Sequence, residues 1–350
     1  MPKVSVIIPT CNRPELLSRA IKSVLNQTFR DFEIIVVDDG DVKLAKDVVG
    51  QFNLEEARPF SPLSFPRRRE SSVSNGVIDS RFRGDDNRGS GNDSMKHEAG
   101  DDERCLSNVG DRIKYIKHAE RKGGAAARNT GIKAARGEFI AFLDDDDEWL
   151  PEKLEIQMKQ FENTPADVGF CLSAVKTVYD NKEELSEAPE GIADYHELAL
   201  RRMKGFLTVT LIIKKYVFDE VGVFDESLPS HQDPDLIIRV SKKYKGLSIS
   251  RPLVRVSMAC PYEHIGGSLK RRVAGREIII KKYFDEFKKR PEVLAYHYFQ
   301  LGLWCRDDGQ KNKAKEYFKK AWQVNFNFRG YKTLFCHSER SEESLANARN

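Results

Sequence analysis

Apolar and polar positions along the first forty residues switch between two periods. Val4-Ser5-Val6-Ile7-Ile8-Pro9 is a nearly continuous apolar run halted by proline, which predicts a buried strand, and Thr10-Cys11-Asn12-Arg13-Pro14 reads as the loop that follows. From Pro14 the spacing becomes helical. Leu16, Leu17, Ala20, Ile21, Val24 and Leu25 form one apolar stripe, so an amphipathic helix is expected to close before Asn26-Gln27-Thr28. Phe32 to Val37 is a second strand, finishing in Asp38-Asp39-Gly40. Strand, helix and strand in this order make a right-handed βαβ unit, whose ligands sit beyond the carboxyl ends of the parallel strands. An acid at such an end hydrogen-bonds a ribose hydroxyl or a base N–H, or else caps a helix.

A helix from Val42 to Phe52 comes next, and then the pattern stops. Between Ala57 and Cys105 the only Val, Ile or Leu residues are Leu63, Val73, Val77 and Ile78, amid Arg, Ser, Gly, Asp and Asn. So little apolar surface cannot offset an ordering cost of about 1–2 kcal/mol per residue, and a disordered, low-complexity insertion over 57–105 is expected. It resembles the translated interspersed repeats of some bacterial genes, as does Cys336 to Ser344 in the tail, and 331–350 is expected to be disordered too.

Periodicity returns with the alternating strand Arg112 to Ile116. Gly123 to Gly131 then opens a helix of small residues suited to lying close beneath a sheet. Arg128 on this helix either meets a phosphate or pairs with Asp144 or Asp39. Phe139-Ile140-Ala141-Phe142-Leu143 runs directly into Asp144-Asp145-Asp146-Asp147-Glu148-Trp149. A buried strand that delivers four carboxylates at its end suits an oxygen-coordinated divalent cation, Mg²⁺ or Mn²⁺, that also holds phosphate oxygens. The alternating acids and central glycine of a calcium loop are missing. Trp149 reads as a core wedge on the helix after the acids.

Composition narrows the choice of partner. A net charge of +4 over 350 residues, without a basic groove interleaved by aromatics, argues against nucleic acid. The longest apolar runs fall far short of the ~20 residues of a membrane helix, and a cytoplasmic location follows. Six cysteines, at 11, 105, 171, 260, 305 and 336, form no CxxC pair and read as reduced thiols.

Downstream, Pro151 to Phe161 predicts a helix, Val168 to Val178 a strand, Phe206 to Ile213 an apolar run, and Lys215 the start of another helix. In Ser230-His231-Gln232-Asp233-Pro234-Asp235-Leu236, Pro234 fits the first turn of a helix and Asp233 fits its cap. His231 reads as an exposed loop histidine. From Arg276 the chain is helical, and Tyr298 to Ala321 resembles one tetratricopeptide-type hairpin, expected to pack on the main domain or on a partner.

Together these segments resemble the family 2 glycosyltransferases, which have the nucleotide-sugar-binding GT-A fold. The resemblance is carried by Val4 to Thr10, Val36-Val37-Asp38-Asp39-Gly40, Ala127-Arg128-Asn129-Thr130-Gly131, and Phe142-Leu143-Asp144-Asp145-Asp146-Asp147 with Trp149-Leu150-Pro151. It implies a mixed α/β sheet flanked by helices over 1–56 and 106–260, with a helical C-terminal region over 261–330. Cys11 departs from the usual Tyr, and Asp41 from the usual Ser. The resemblance further implies a nucleotide-sugar site at Pro9, Thr10, Asp39, Arg128, Asp144 and Asp145, with Thr10 and Asp39 on the uridine. Asp146 would be the direct metal ligand with Asp144 beside it, and Asp233 the general base. Asp235, two residues on, is expected to matter less. His264 is similar to a histidine that approaches the diphosphate in relatives. The implied reaction is inverting transfer from a nucleotide sugar, such as a UDP-sugar, to a saccharide, lipid-linked or other hydroxyl acceptor in surface polysaccharide or glycolipid synthesis. Peripheral attachment to the inner face of the membrane is compatible with it. A nucleotidyltransferase would share the acids but need a triphosphate cradle that Thr10 to Pro14 does not offer. A non-catalytic nucleotide-sugar-binding scaffold would bind UDP without turnover.

Overall fold

The computed structural model describes residues 1–41, 44–56, 112–180, 182–186, 188–201, 207–258 and 268–326. The segment expected to be an insertion, His264 and the tail lie outside the described residues.

The first half is built as the periodicity predicts. Strand β1 (Val4–Thr10), helix α1 (Pro14–Leu25), β2 (Phe32–Asp38), α2 (Leu44–Glu56), β3 (Ile113–Lys117), α3 (Gly124–Ala134) and β4 (Phe139–Phe142) follow in order. β1 runs parallel to β2 from Val4 opposite Phe32 to Thr10 opposite Asp38, and parallel to β4 from Val4 opposite Phe139 to Ile7 opposite Phe142. β3 adds a further parallel strand outside β2. Strand order 3-2-1-4 therefore reverses at β1, which opens a crevice beyond the carboxyl ends of β1 and β4. Pro9 fits there. The Ile7 carbonyl takes Leu143 N–H at 3.0 Å, so the nitrogen of Pro9 faces the same side, where β4 has already ended and no ladder bond is lost.

Next come β5 (Glu148–Trp149), α4 (Lys153–Phe161), β6 (Val168–Val178), β7 (Glu183–Leu185), β8 (Gly191–Ala193) and α5 (His196–Arg201). A 3₁₀ turn (Thr208–Thr210), β9 (Ile212–Lys214), α6 (Val217–Val221), α7 (Gln232–Lys243) and β10 (Lys245–Ser257) complete the sheet region. β9 is antiparallel to both β4 and β6, so the sheet is mixed from this point. Two expectations change here. Trp149 lies not on a helix but in β5, opposite Val254 of β10, although it is a core residue, 3% exposed, with its indole N–H on the Val209 carbonyl. The apolar run ending at Ile213 splits between the 3₁₀ turn and β9 over its described residues.

Both faces of the sheet are covered, as all-apolar parallel strands require. Val4, Val6 and Ile8 face α1, α2 and α4, while Ile7, Ile35 and Val37 share a second core with α3, α5 and α7. That second core continues into α8 (Leu269–Lys282), α9 (Phe284–Lys288), α10 (Pro291–Asp307) and α11 (Lys311–Val324), through Ile279, Phe287, Leu301 and Tyr317. Gly302 lies where α10 and α11 cross, since a Cβ there would come within 2.4 Å of the Phe318 ring.

Candidate active site

The crevice beyond β1, β2 and β4 collects most of the charged residues singled out in the sequence. At the end of β2, Asp38 is fully buried and takes Gly40 N–H at 2.8 Å and the Tyr115 hydroxyl at 2.7 Å. Asp39 accepts the backbone N–H groups of Lys122 and Gly123, each at 2.7 Å, and stands 2.8 Å from His118 Nδ1. Asp39 thus secures the entry to α3, the capping use that an acid at this position can serve. His118, missed in the sequence, bridges it to Thr130 at 2.9 Å.

Beyond β4, Thr10 Oγ1 donates to Asp145 at 2.7 Å, tying the β1 end to the acidic run. Arg13 reaches Asp145 at 3.3 Å and Asp146 at 3.1 Å, and Arg19 donates to the Asp146 carbonyl at 2.7 Å. Arg128 resolves its two sequence alternatives in this state by pairing with Asp144. Burial works against the Arg128 charge, but Asp144 and then Asp233 outweigh it and its pKa rises. The acids are less well compensated. Burial pushes Asp145 up to about 6, and burial together with Asp144 and Asp146 pushes Asp147 well above the carboxylate range.

Asp144, Asp146 and Asp147 each offer a carboxylate oxygen, and these oxygens lie within 4.8 Å of one another. Three hard oxygen donors crowded this closely, with the ionisation of Asp147 opposed by burial and by its two neighbours, fit a divalent cation. Asp147 was not foreseen as part of this set. Its place as the fourth acid of the run was the available signal.

Asp233 comes to the same crevice from α7. Its carboxylate accepts Thr208 N–H at 3.4 Å, and its pKa is raised, chiefly by burial, with Arg128 opposing and Asp144 adding to the rise. Buried Arg128 Nε finds no hydrogen-bond partner among the described residues, which leaves polar capacity near Asp233 for a ligand. Asp233 does not cap its helix. The cap position belongs to His231, in a left-handed conformation at φ 66°. Nor is His231 an exposed loop residue, for it is part-buried against Ser230 and Arg276. Asp235 is no minor neighbour either: it is fully buried between Arg239 at 2.9 Å, Lys282 at 2.7 Å and the Tyr283 hydroxyl at 2.7 Å.

A mixed sheet with carboxylates gathered at its switch point is the architecture of the GT-A glycosyltransferases. The family model for glycosyl transferase family 2 matches residues 5–68 and 92–214, and the chain belongs to that family of enzymes. The chain is 26% identical over 326 residues to the amylovoran biosynthesis glycosyltransferase AmsB of Erwinia amylovora, spanning 89% of this chain and 87% of that one. It is 30% identical over 209 residues to the UDP-Glc:alpha-D-GlcNAc-diphosphoundecaprenol beta-1,3-glucosyltransferase WfgD of Escherichia coli, covering 59% of each. Among solved structures, a mannosyltransferase from Pyrobaculum calidifontis in complex with GDP-Man and Mn²⁺ shares the fold. The match has a TM-score of 0.54 at 14% identity and covers 97% of this chain and 80% of that one. Among the described residues, no helix is long and apolar enough to cross a membrane.

Proposed function

We propose that this glycosyltransferase moves a sugar from a UDP-sugar to a hydroxyl acceptor with inversion at the anomeric carbon, in the synthesis of a surface polysaccharide or glycolipid. The observation that carries the reading is the convergence of Asp233, Arg128 and Asp144 in one crevice, close enough that the two acids raise the pKa of Arg128 and that Arg128 and Asp144 both act on Asp233. Asp233 accepts the acceptor's hydroxyl proton as that oxygen bonds to the anomeric carbon. The bond from that carbon to the diphosphate oxygen breaks on the opposite face, and UDP leaves with its electron pair. The raised pKa of Asp233 brings it closer to that of a group able to hold the proton at neutral pH. Arg128, released from Asp144 when phosphate arrives, faces the departing charge. Thr10 and Pro9 line the nucleoside end. Asp39 has two carboxylate oxygens and uses them for three donors, which leaves acceptor capacity for the N–H of a base. Asp144 or Asp145 lies toward the ribose.

Asp146, Asp144 and Asp147 would hold the cation, which when bound supplies positive charge to the leaving diphosphate. The names of AmsB and WfgD support a place in polysaccharide synthesis and, for WfgD, a UDP-sugar with a lipid-linked acceptor.

Calorimetric titration of UDP and GDP, each with and without Mn²⁺, tests the donor site. UDP is expected to bind more tightly than GDP, and Mn²⁺ to strengthen binding by roughly 10–100-fold, a gain that Asp146→Ala removes. Preference for GDP would overturn the choice of base. An undiminished Mn²⁺ effect in Asp146→Ala would move the cation elsewhere.

A further inference from the structure

Arg276, on α8, is 5% exposed, and among the described residues its hydrogen bonds run to imidazoles rather than to carboxylates. Its Nε and Nη2 reach His231 Nε2 at 3.2 and 3.1 Å, and its Nη1 reaches His297 Nδ1 at 2.6 Å. A guanidinium can only donate, so both of those ring nitrogens must present lone pairs and both rings must be neutral. The remaining ring hydrogens then have one arrangement. His231 Nδ1–H donates to Ser230 Oγ at 2.7 Å, and Ser230 donates in turn to the Arg271 carbonyl at 2.8 Å. His297 Nε2–H donates to the Leu200 carbonyl at 2.8 Å. The Trp304 ring covers the guanidinium, its centroid 5.0 Å away.

This chain of bonds ends on the turn that launches the base. His231 holds the left-handed cap of α7, two residues before Asp233. α8 meets this turn at backbone distance: a Cβ on Gly275 would come within 2.3 Å of Ser230 Oγ and 2.7 Å of the Ser230 carbonyl. A buried cation held by neutral acceptors is a poor device for stability alone, because well-packed apolar side chains of similar volume serve as well or better. What it supplies is direction, since each donor has one acceptor and the turn has one place to sit. We propose that Arg276, acting through His231, is a positioning residue that aims Asp233 into the crevice. The C-terminal helices are then part of what orients the base. This rests on the reading of Asp233 as that base.

The test contrasts two replacements of His231. Asn favours the left-handed conformation, so His231→Asn keeps the turn, but its side chain is too short to present an acceptor where Nε2 stood. His231→Gln presents an amide oxygen close to that place. Rates are read as nucleoside diphosphate release (UDP or GDP, according to the donor), with Mn²⁺ present and water as acceptor, from whichever of UDP-glucose, UDP-galactose, UDP-GlcNAc or GDP-mannose the parent hydrolyses fastest. His231→Asn is expected to lose kcat by roughly 10- to 100-fold while the donor KM and the UDP affinity stay within about twofold, as for a base misplaced by an ångström. His231→Gln should recover most of that loss. Parental kcat in His231→Asn, or an equal loss in both variants, overturns the proposal. Asp233→Asn in the same assay separates the two ideas. A parental rate there overturns the base and the positioning role together, whereas an inactive Asp233→Asn beside a fully active His231→Asn overturns the positioning role alone.

Discussion

The first turn of α7 carries two aspartates in opposite circumstances. Asp233 turns to the crevice, where Thr208 is the residue that donates to it, its N–H at 3.4 Å, and where burial raises its pKa. Asp235 turns to α8, where Arg239, Lys282 and the Tyr283 hydroxyl close around it. The same contrast holds for the regions beyond them. On the crevice side, carboxylates crowd until their ionisation is resisted. On the α8 side, even a buried arginine has its donors placed on defined acceptors. Polarity left incomplete marks where a ligand enters, and polarity completed marks what holds the site in position.

The widest gap should appear in turnover. Asp233→Asn is expected to lower sugar transfer by ~10²–10⁴, the usual cost of removing a general base, while shifting the melting temperature little because the residue does not cap its helix. Measuring kcat and thermal unfolding on one preparation checks both halves. A large melting shift with retained turnover would reverse the contrast. Asp235→Asn should behave in the opposite sense. Breaking its buried charge pairs is expected to cost on the order of 3 kcal/mol in denaturant unfolding. If Asp235→Asn were as stable as the parent, the closed side would not be a stability element.

The smallest effect is on pH. Burial first, then the charge of Arg276, lowers both His231 and His297 to about 3. The unfolded chain takes up protons near pH 6.5, but the folded chain resists them until near 3, so stability present above 6.5 drains away as the pH falls. Each histidine contributes at most about 1.4 kcal/mol per pH unit in that window. His297→Asn, which keeps an acceptor for Arg276, should flatten the fall in stability between pH 6 and 4 relative to the parent. Parallel curves for the two proteins would mean that His297 already carries a proton in the folded state.

How much of this was legible depended on whether a signal was local. The strand-to-acid junctions at Asp38 and Asp144, the βαβ order and the helix of small residues at Arg128 are written in neighbouring residues, and the sheet follows from them. Trp149 reads as helical because a two-residue strand has no period of its own; its position is set by Val254, a hundred residues away. His231 reads locally as a loop residue because its burial comes from Arg276 and Trp304, on helices whose docking no local pattern reports. Residue type alone puts the cap of α7 on Asp233, while the backbone places it on His231. Nothing beside Arg13 in the sequence marks it, since the acids it meets lie more than 130 positions along the chain.

The inner face of the first strand shares one core with the last helices: Ile7, Leu301 and Tyr317 belong to the same buried cluster. A ribosome delivers these residues some three hundred positions apart. α3, α5 and α7 cover that face of the sheet early, but the core they begin stays open on its far side until α10 and α11 emerge, and the nascent chain carries that apolar surface through much of its synthesis. Order of manufacture thus leaves a transient opening that the finished molecule conceals.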